Sequence, residues 1–194
     1  KTTSLCILAG LVKKTSGKII IDSMDFDKEE HNIKKIMGIM PQDMNPYQNK
    51  TAFQNMLFYA RLKDMKKADA VRQINKLFKE FEIENIKNVK VKQLSHGQAK
   101  LILIMQAFLN NPKIIILDEP LAGFDPLKVV MLRKILKKKK NQTIIISSHN
   151  LDEIDRLCTH IGIINEGKLL LQGKKEKLKN GKSLEQVFIK KLSE

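Results

Sequence analysis

Hydrophobic positions recur along this chain with two periods, and their alternation predicts an α/β fold with a mostly parallel sheet. Residues 2–11 read as a helix, closed by the polar turn Lys13-Lys14-Thr15-Ser16-Gly17. Runs 18–22 and 35–40 follow as strand candidates. From residue 46 to 110 the β signal disappears and helical spacing takes over. Phe53, Met56, Leu57 and Ala60 form one stripe; Val71, Ile74, Leu77, Phe78 and Phe81 form another. Such stripes belong to a core rather than to cofactor contacts. The alternation returns at 113–117, an almost pure β-branched run of the kind buried on both faces of a sheet. A helix from 126 to 139 leads into a second such strand at 143–147. After a short helix at 151–158, runs 161–165 and 168–172 flank Glu166-Gly167, which suggests a hairpin. The tail from Ser183 onward looks helical. The pattern divides the chain into an α/β core at 1–45 and 111–194 and an inserted α-helical subdomain at 46–110.

Composition narrows the class without deciding it. The 194 residues are 42% hydrophobic, enough for one sizeable core with a smaller subdomain. No apolar stretch approaches the ~20 residues that cross a bilayer; the longest, at 101–109, contains Gln106. No secretion signal is visible at the start. Cys6 and Cys158 form neither a metal pattern nor a disulfide framework, which fits a reducing, cytoplasmic setting with both thiols as small core residues. The net charge of +15 favours anionic partners in general. It is scattered, apart from Lys137-Lys138-Lys139-Lys140. That run ends a helix, where cations complement the dipole and stay solvated. It lacks the interleaved aromatics that stack on bases, so nucleic acid is not the expected partner.

Five short patterns carry candidate chemistry. The strand 114–117 ends in Asp118-Glu119-Pro120. Buried charge is costly unless paired or bound to a cation, and α/β sheets place ligands beyond the carboxyl ends of their strands. Two readings stand: one carboxylate holds Mg2+ while its neighbour polarises water, or the strand ends in a solvated acidic turn. Ser95-His96-Gly97-Gln98 precedes the apolar helix, with Ser95 as N-cap and Gln98 completing a capping box. The same helix start suits a phosphate. Lys1-Thr2-Thr3 leads into a helix and matches the end of a phosphate loop, where lysine meets the β- and γ-phosphates and the hydroxyl ligates Mg2+. His149 follows the strand 143–147 and suits either a γ-phosphate or a turn cap. Gln42 follows the strand 35–40. Alone, each is weak.

In order and spacing, the five together resemble the ATP-binding-cassette (ABC) ATPase family along nearly the whole chain. Lys1, Thr2 and Thr3 match the end of its Walker A loop, Gln42 its Q-loop, and Leu94 to Gln98 its signature, usually Leu-Ser-Gly-Gly-Gln. Asp118 matches the Walker B aspartate, Glu119 the catalytic glutamate, Asp125 the D-loop and His149 the switch histidine. The resemblance implies a P-loop NTPase core with a helical subdomain. Two cassettes, alike or different, would meet head to tail around two ATP molecules. Lys1, Thr2, Thr3, Gln42, Asp118, Glu119 and His149 would serve one nucleotide, with Mg2+ on Thr2, Gln42 and Asp118. Glu119 would be the general base and His149 would hold the γ-phosphate. Ser95, Gly97 and Gln98 would reach the partner's ATP. Hydrolysis would drive a transmembrane permease from the inner face of the cell membrane. The region 46–62 and the segment 147–173 resemble export-type cassettes for drugs and bacteriocins.

The sequence departs from the family in three places. His96 stands where the signature usually has Gly, and Ala122-Gly123-Phe124-Asp125 varies the D-loop. The glycines that form most of a phosphate cradle would precede Lys1, so the chain as given is expected to bind ATP poorly. The alternative is a soluble ABC ATPase acting on ribosomes or nucleic acid. Those proteins carry paired cassettes or long coiled coils, whereas 46–110 is short and lacks heptads. A regulatory subunit that binds ATP without turnover would be expected to lose Glu119 or His149.

Overall fold

The computed structural model describes residues 1–193. The larger of two compact units spans residues 2–147. It begins with helix α1 (Thr2–Leu8), strands β1 (Ile20–Ile21) and β2 (Met24–Asp25), helix α2 (Phe26–Lys35) and strand β3 (Met37–Met40). Helices α3 (Ala52–Leu62), α4 (Lys67–Glu80) and α5 (His96–Ala107) follow, then β4 (Ile114–Asp118), α6 (Pro126–Lys138) and β5 (Thr143–Ser147). Strands β3, β4 and β5 form a parallel sheet with β4 in the centre. Its register sets Met40 beside Leu117 and Asp118 beside Ser147. Parallel strands end on the same side, so Gln42, Asp118, Glu119 and Ser147 all emerge at one edge of the sheet.

Local chemistry explains the elements. Helix α1 stops at Leu8, earlier than the sequence suggested, because Gly10 at φ +68° closes it. Gly10 N–H donates to Ile7 O and Leu11 N–H to Cys6 O, the double bond of a Schellman motif. Strand 18–22 contracts to two residues, because Asp22 and Ser23 turn the chain with positive φ and pair β1 with β2. The strand expected from residue 35 begins at Met37, since α2 occupies the preceding ten residues. Asp25 caps α2 by accepting from Asp27 N–H at 3.1 Å, and Lys34 and Lys35 complement its last turn.

Helix α5 is the centrepiece of the unit. Leu101 through Ala107 are all buried, so this helix is covered on every side. It packs directly on β3 at Gly38, where an added Cβ would lie 1.7 Å from the Ala107 carbonyl oxygen. Only hydrogen fits there. Helix α3 opens with a capping box between Thr51 and Gln54. Buried Asn55 accepts from Tyr47 N–H at 2.8 Å and donates to the carbonyls of Tyr47 and Thr51 at 3.0 Å each. It thereby pins the loop between β3 and α3. The lysine run is not wholly solvated, contrary to expectation: Lys139 is half-buried, 2.7 Å from Glu80 and 5.2 Å above the Phe108 ring. Tertiary packing brings the end of α6 against α4.

The second unit groups Lys1 with the residues from Ser148 onward. It holds helix α7 (Leu151–Leu157), the antiparallel strands β6 (His160–Asn165) and β7 (Lys168–Lys174), and helices α8 (Lys175–Lys179) and α9 (Leu184–Ser193). Glu166 and Gly167 both have positive φ, as a two-residue type I′ turn requires. Lys175 and Lys179 converge on Asp155, with Lys179 Nζ 2.7 Å from its carboxylate. Cys6 and Cys158 are free thiols, each half-buried rather than core residues in the full sense.

Candidate functional site

The acidic pair at the end of β4 is divided by its surroundings. Asp118 is 2% exposed; Oδ1 accepts from the hydroxyl of Ser147 on β5, while Oδ2 is buried without a hydrogen-bond partner. A buried carboxylate oxygen left in that condition is costly unless a cation or donor arrives. Glu119, the next residue, is half-buried and takes φ +50°, a left-handed conformation that costs a non-glycine residue energy and clusters at functional sites. Its N–H donates to Ser147 Oγ at 2.9 Å. One hydroxyl therefore holds the Asp118 carboxylate and the Glu119 backbone together. Ser147 was not singled out in the sequence; its only signal was the strand register that sets it opposite Asp118.

Around this pair the larger unit gathers several of the expected residues. Thr2 Oγ1 lies 3.5 Å from Gln42 Oε1, so the start of α1 and the loop after β3 present two neutral oxygens together. Asp118 shares a small cleft with Leu5 and Cys6 of α1 and with Met40 and Pro41. Gln42 and Glu119 line a cavity of about 330 Å3 together with His96, Lys100 and Gly123. Thr3 stands exposed on α1. Among the described residues no group of three His, Cys, Asp or Glu side chains could cage a metal alone. The available donors are all oxygens, and a buried one lacks a partner. That set fits a hard cation such as Mg2+, which completes its shell with water and phosphate oxygens.

The start of α5 realises its capping box. Ser95 Oγ accepts from Gln98 N–H at 3.2 Å and Gln98 Oε1 accepts from Ser95 N–H at 3.0 Å. The Ser95 hydroxyl is exposed and keeps its O–H for donation. Gly97 lies under the Phe124 ring, whose nearest carbon would be 3.4 Å from an added Cβ. Asp125 caps α6, accepting from Lys128 N–H at 3.0 Å with Lys128 Nζ 3.2 Å away. That backbone bond, then the Lys128 side chain, holds its carboxyl below the usual range. Lys100, also missed in the sequence, donates to the Glu119 carbonyl at 2.7 Å and the Ala122 carbonyl at 2.6 Å. Burial draws its ammonium pKa down, opposed by the attraction of Glu119. In the second unit, Lys1 Nζ donates to Ser148 O at 3.0 Å, and His149 is exposed just before α7.

A parallel sheet with a buried aspartate oxygen that lacks a partner, and a strained glutamate beside it at the carboxyl edge, fits an α/β domain of the P-loop NTPase class, the class of the solved cassette described below. The family model described as ABC transporter matches residues 1–122, and the chain belongs to that family. It is 36% identical over 88% of its length to the bacitracin transport ATP-binding protein BcrA of Bacillus licheniformis. It is 32% identical over 92% to the uncharacterized ABC transporter ATP-binding protein YhaQ of Bacillus subtilis. The chain spans 56% and 60% of those two relatives, respectively. A solved dimeric ATP-binding cassette in a post-hydrolysis state, bound to ADP and Pi, superposes with a TM-score of 0.80 at 26% identity. That match covers 89% of this chain and 79% of the other. No helix among the described residues is long and apolar enough to cross a membrane.

Proposed function

We propose that this chain is the ATP-binding part of a transporter subunit that hydrolyses ATP to drive export through a separate membrane partner. The observation that carries this reading is the divided acidic pair: Asp118 with a buried oxygen lacking a partner, and Glu119 in strained backbone beside it. Thr2, Gln42 and Asp118 hold Mg2+, which when bound neutralises phosphate charge. Glu119 accepts the proton of the attacking water. Lys1 and Thr3 bind phosphate, and His149 takes the γ-phosphate role; these three assignments rest on the sequence resemblance.

The helical subdomain at 46–110, supported by the packing of α3 against α4 and α5, carries Ser95, Gly97 and Gln98 to the ATP of a second cassette. Asp125 lies at the same dimer face. Support for that arrangement comes from the dimeric cassette whose fold this chain shares. The export direction is supported by 30% identity, over 97% of this chain and 80% of the other, to the lipopolysaccharide export system ATP-binding protein LptB of Haemophilus influenzae. Transport relatives disfavour a ribosome- or nucleic-acid-acting protein. The subunit then works at the inner face of the cell membrane, peripheral to its permease.

The deciding experiment is steady-state ATPase activity of the complete subunit beside Glu119→Gln. Loss of a general base costs about 10²–10⁴-fold in rate. Activity that collapses in the variant while ATP still binds supports the assignment; equal rates in both sink it.

A further inference from the structure

The loop that leaves β4 is gripped from outside the sheet. Lys100 Nζ on α5 donates to Glu119 O at 2.7 Å and to Ala122 O at 2.6 Å, under the Phe124 ring at 5.6 Å. The Glu119 carbonyl also accepts from Ala122 N–H at 3.4 Å, so the ammonium closes a turn that is already folded on itself. At the head of that turn Glu119 holds φ +50°. Such a conformation persists only where neighbours fix it on both sides. Ser147 Oγ fixes the Glu119 N–H, and Lys100 fixes the carbonyl.

Packing alone does not account for an ammonium here. A half-buried charge gives up hydration, and an apolar side chain of similar length is often as stabilising. We propose that Lys100 is a positioning residue for ATP hydrolysis: by clamping the carbonyls of Glu119 and Ala122 it fixes the Glu119 carboxylate for its work as base. This rests on the reading of Glu119 given above. Helix α5 also begins at the Ser95 cap. The clamp therefore links the helix start assigned to the partner's nucleotide with the loop that carries this chain's own base.

The test is ATP turnover by the complete subunit, comparing wild type, Glu119→Gln, Lys100→Met and Lys100→Arg. A misplacement of about 1 Å costs up to about 10²-fold in rate. Lys100→Met is expected to lower kcat about 10- to 100-fold, with KM for ATP changed by less than about twofold and the thermal midpoint retained. Lys100→Arg, which can donate to both carbonyls, is expected to restore part of the lost kcat. If the methionine variant does not fold, Lys100→Gln replaces it, keeping two N–H donors without the charge; its kcat is expected to fall between those of wild type and Glu119→Gln. Wild-type kcat in Lys100→Met or Lys100→Gln, or a raised KM at constant kcat, overturns the positioning role while leaving Glu119 as base. Equal rates in wild type and Glu119→Gln overturn both.

Discussion

Ser147 and Asp118 face each other across β5 and β4, and the serine hydroxyl donates to Oδ1 of the aspartate while accepting from the Glu119 N–H at 2.9 Å. The hydroxyl thus satisfies one oxygen of a buried carboxylate and leaves the other open. Ser147→Ala should lower stability by about 1–3 kcal/mol, because Oδ1 then stays buried without a donor. Urea unfolding would register this as a lower midpoint at an unchanged slope. A variant as stable as wild type would mean that the bond contributes nothing net.

The open oxygen predicts metal-dependent nucleotide binding. In the complete subunit, removal of Mg2+ by a chelator should weaken binding of a non-hydrolysable ATP analogue by about tenfold or more, and Asp118→Asn should do the same with Mg2+ present. Calorimetric titration gives both numbers. If Asp118→Asn keeps the wild-type dependence on Mg2+, the aspartate is not a ligand.

Gly38 is expected to tolerate no side chain. The Cβ of Gly38→Ala would sit 1.7 Å from Ala107 O, so β3 and α5 must separate. Overpacking of this kind costs typically about 1–3 kcal/mol, and backbone leaves little room to relax. A melting temperature within a degree or so of wild type would contradict the close approach of the two backbones.

Asn55 organises the loop after Gln42 by three short bonds to Tyr47 and Thr51. Asn55→Leu, close in volume, strands the Tyr47 N–H at a cost of about 1–3 kcal/mol, while the Tyr47 carbonyl keeps the Lys50 N–H as donor. Hydrogen exchange at Tyr47 N–H should accelerate in this variant and remain slow in wild type.

Acid should loosen the C-terminal unit through Asp155. The Lys179 hydrogen bond is the largest effect on its carboxyl; burial, next in size, opposes it, and Lys175 adds to the lowering, so the carboxyl lies below the ordinary value of 3.8. A depressed carboxylate pKa contributes stability above the unfolded value and loses it as pH falls through the folded one. Unfolding midpoints followed from about pH 5 to about pH 2 should fall less steeply in Asp155→Asn than in wild type. Parallel curves would exclude this ion pair as an acid-sensitive element.

Much of the architecture was legible because it is written in local pattern. Strand 143–147, the Glu166-Gly167 hairpin, the capping box of Ser95 and Gln98, and the apolar run of α5 all follow from residue type and period within a few positions of each other. The order of Gln42, Ser95, Asp118 and Glu119 was equally plain, since each sits at an element end that hydrophobic periodicity marks.

What the chain order could not express is which ends meet. That Ser147 supplies the hydroxyl for Asp118, that Lys100 reaches the Glu119 and Ala122 carbonyls, and that Lys139 leaves its solvated run for Glu80 are facts of sheet register and helix packing. Helix α2 shows the same limit at short range, because its largely polar sequence carries too few apolar positions to announce a helix. The sequence by itself determined the kind of chemistry, since residue type sets what a carboxylate or hydroxyl can do. The tertiary structure decided which carboxylate oxygen stays open and how Glu119 is held. The first depends on a partner 29 residues away and the second on partners 28 and 19 residues away, which only the packed sheet and α5 bring within hydrogen-bond distance.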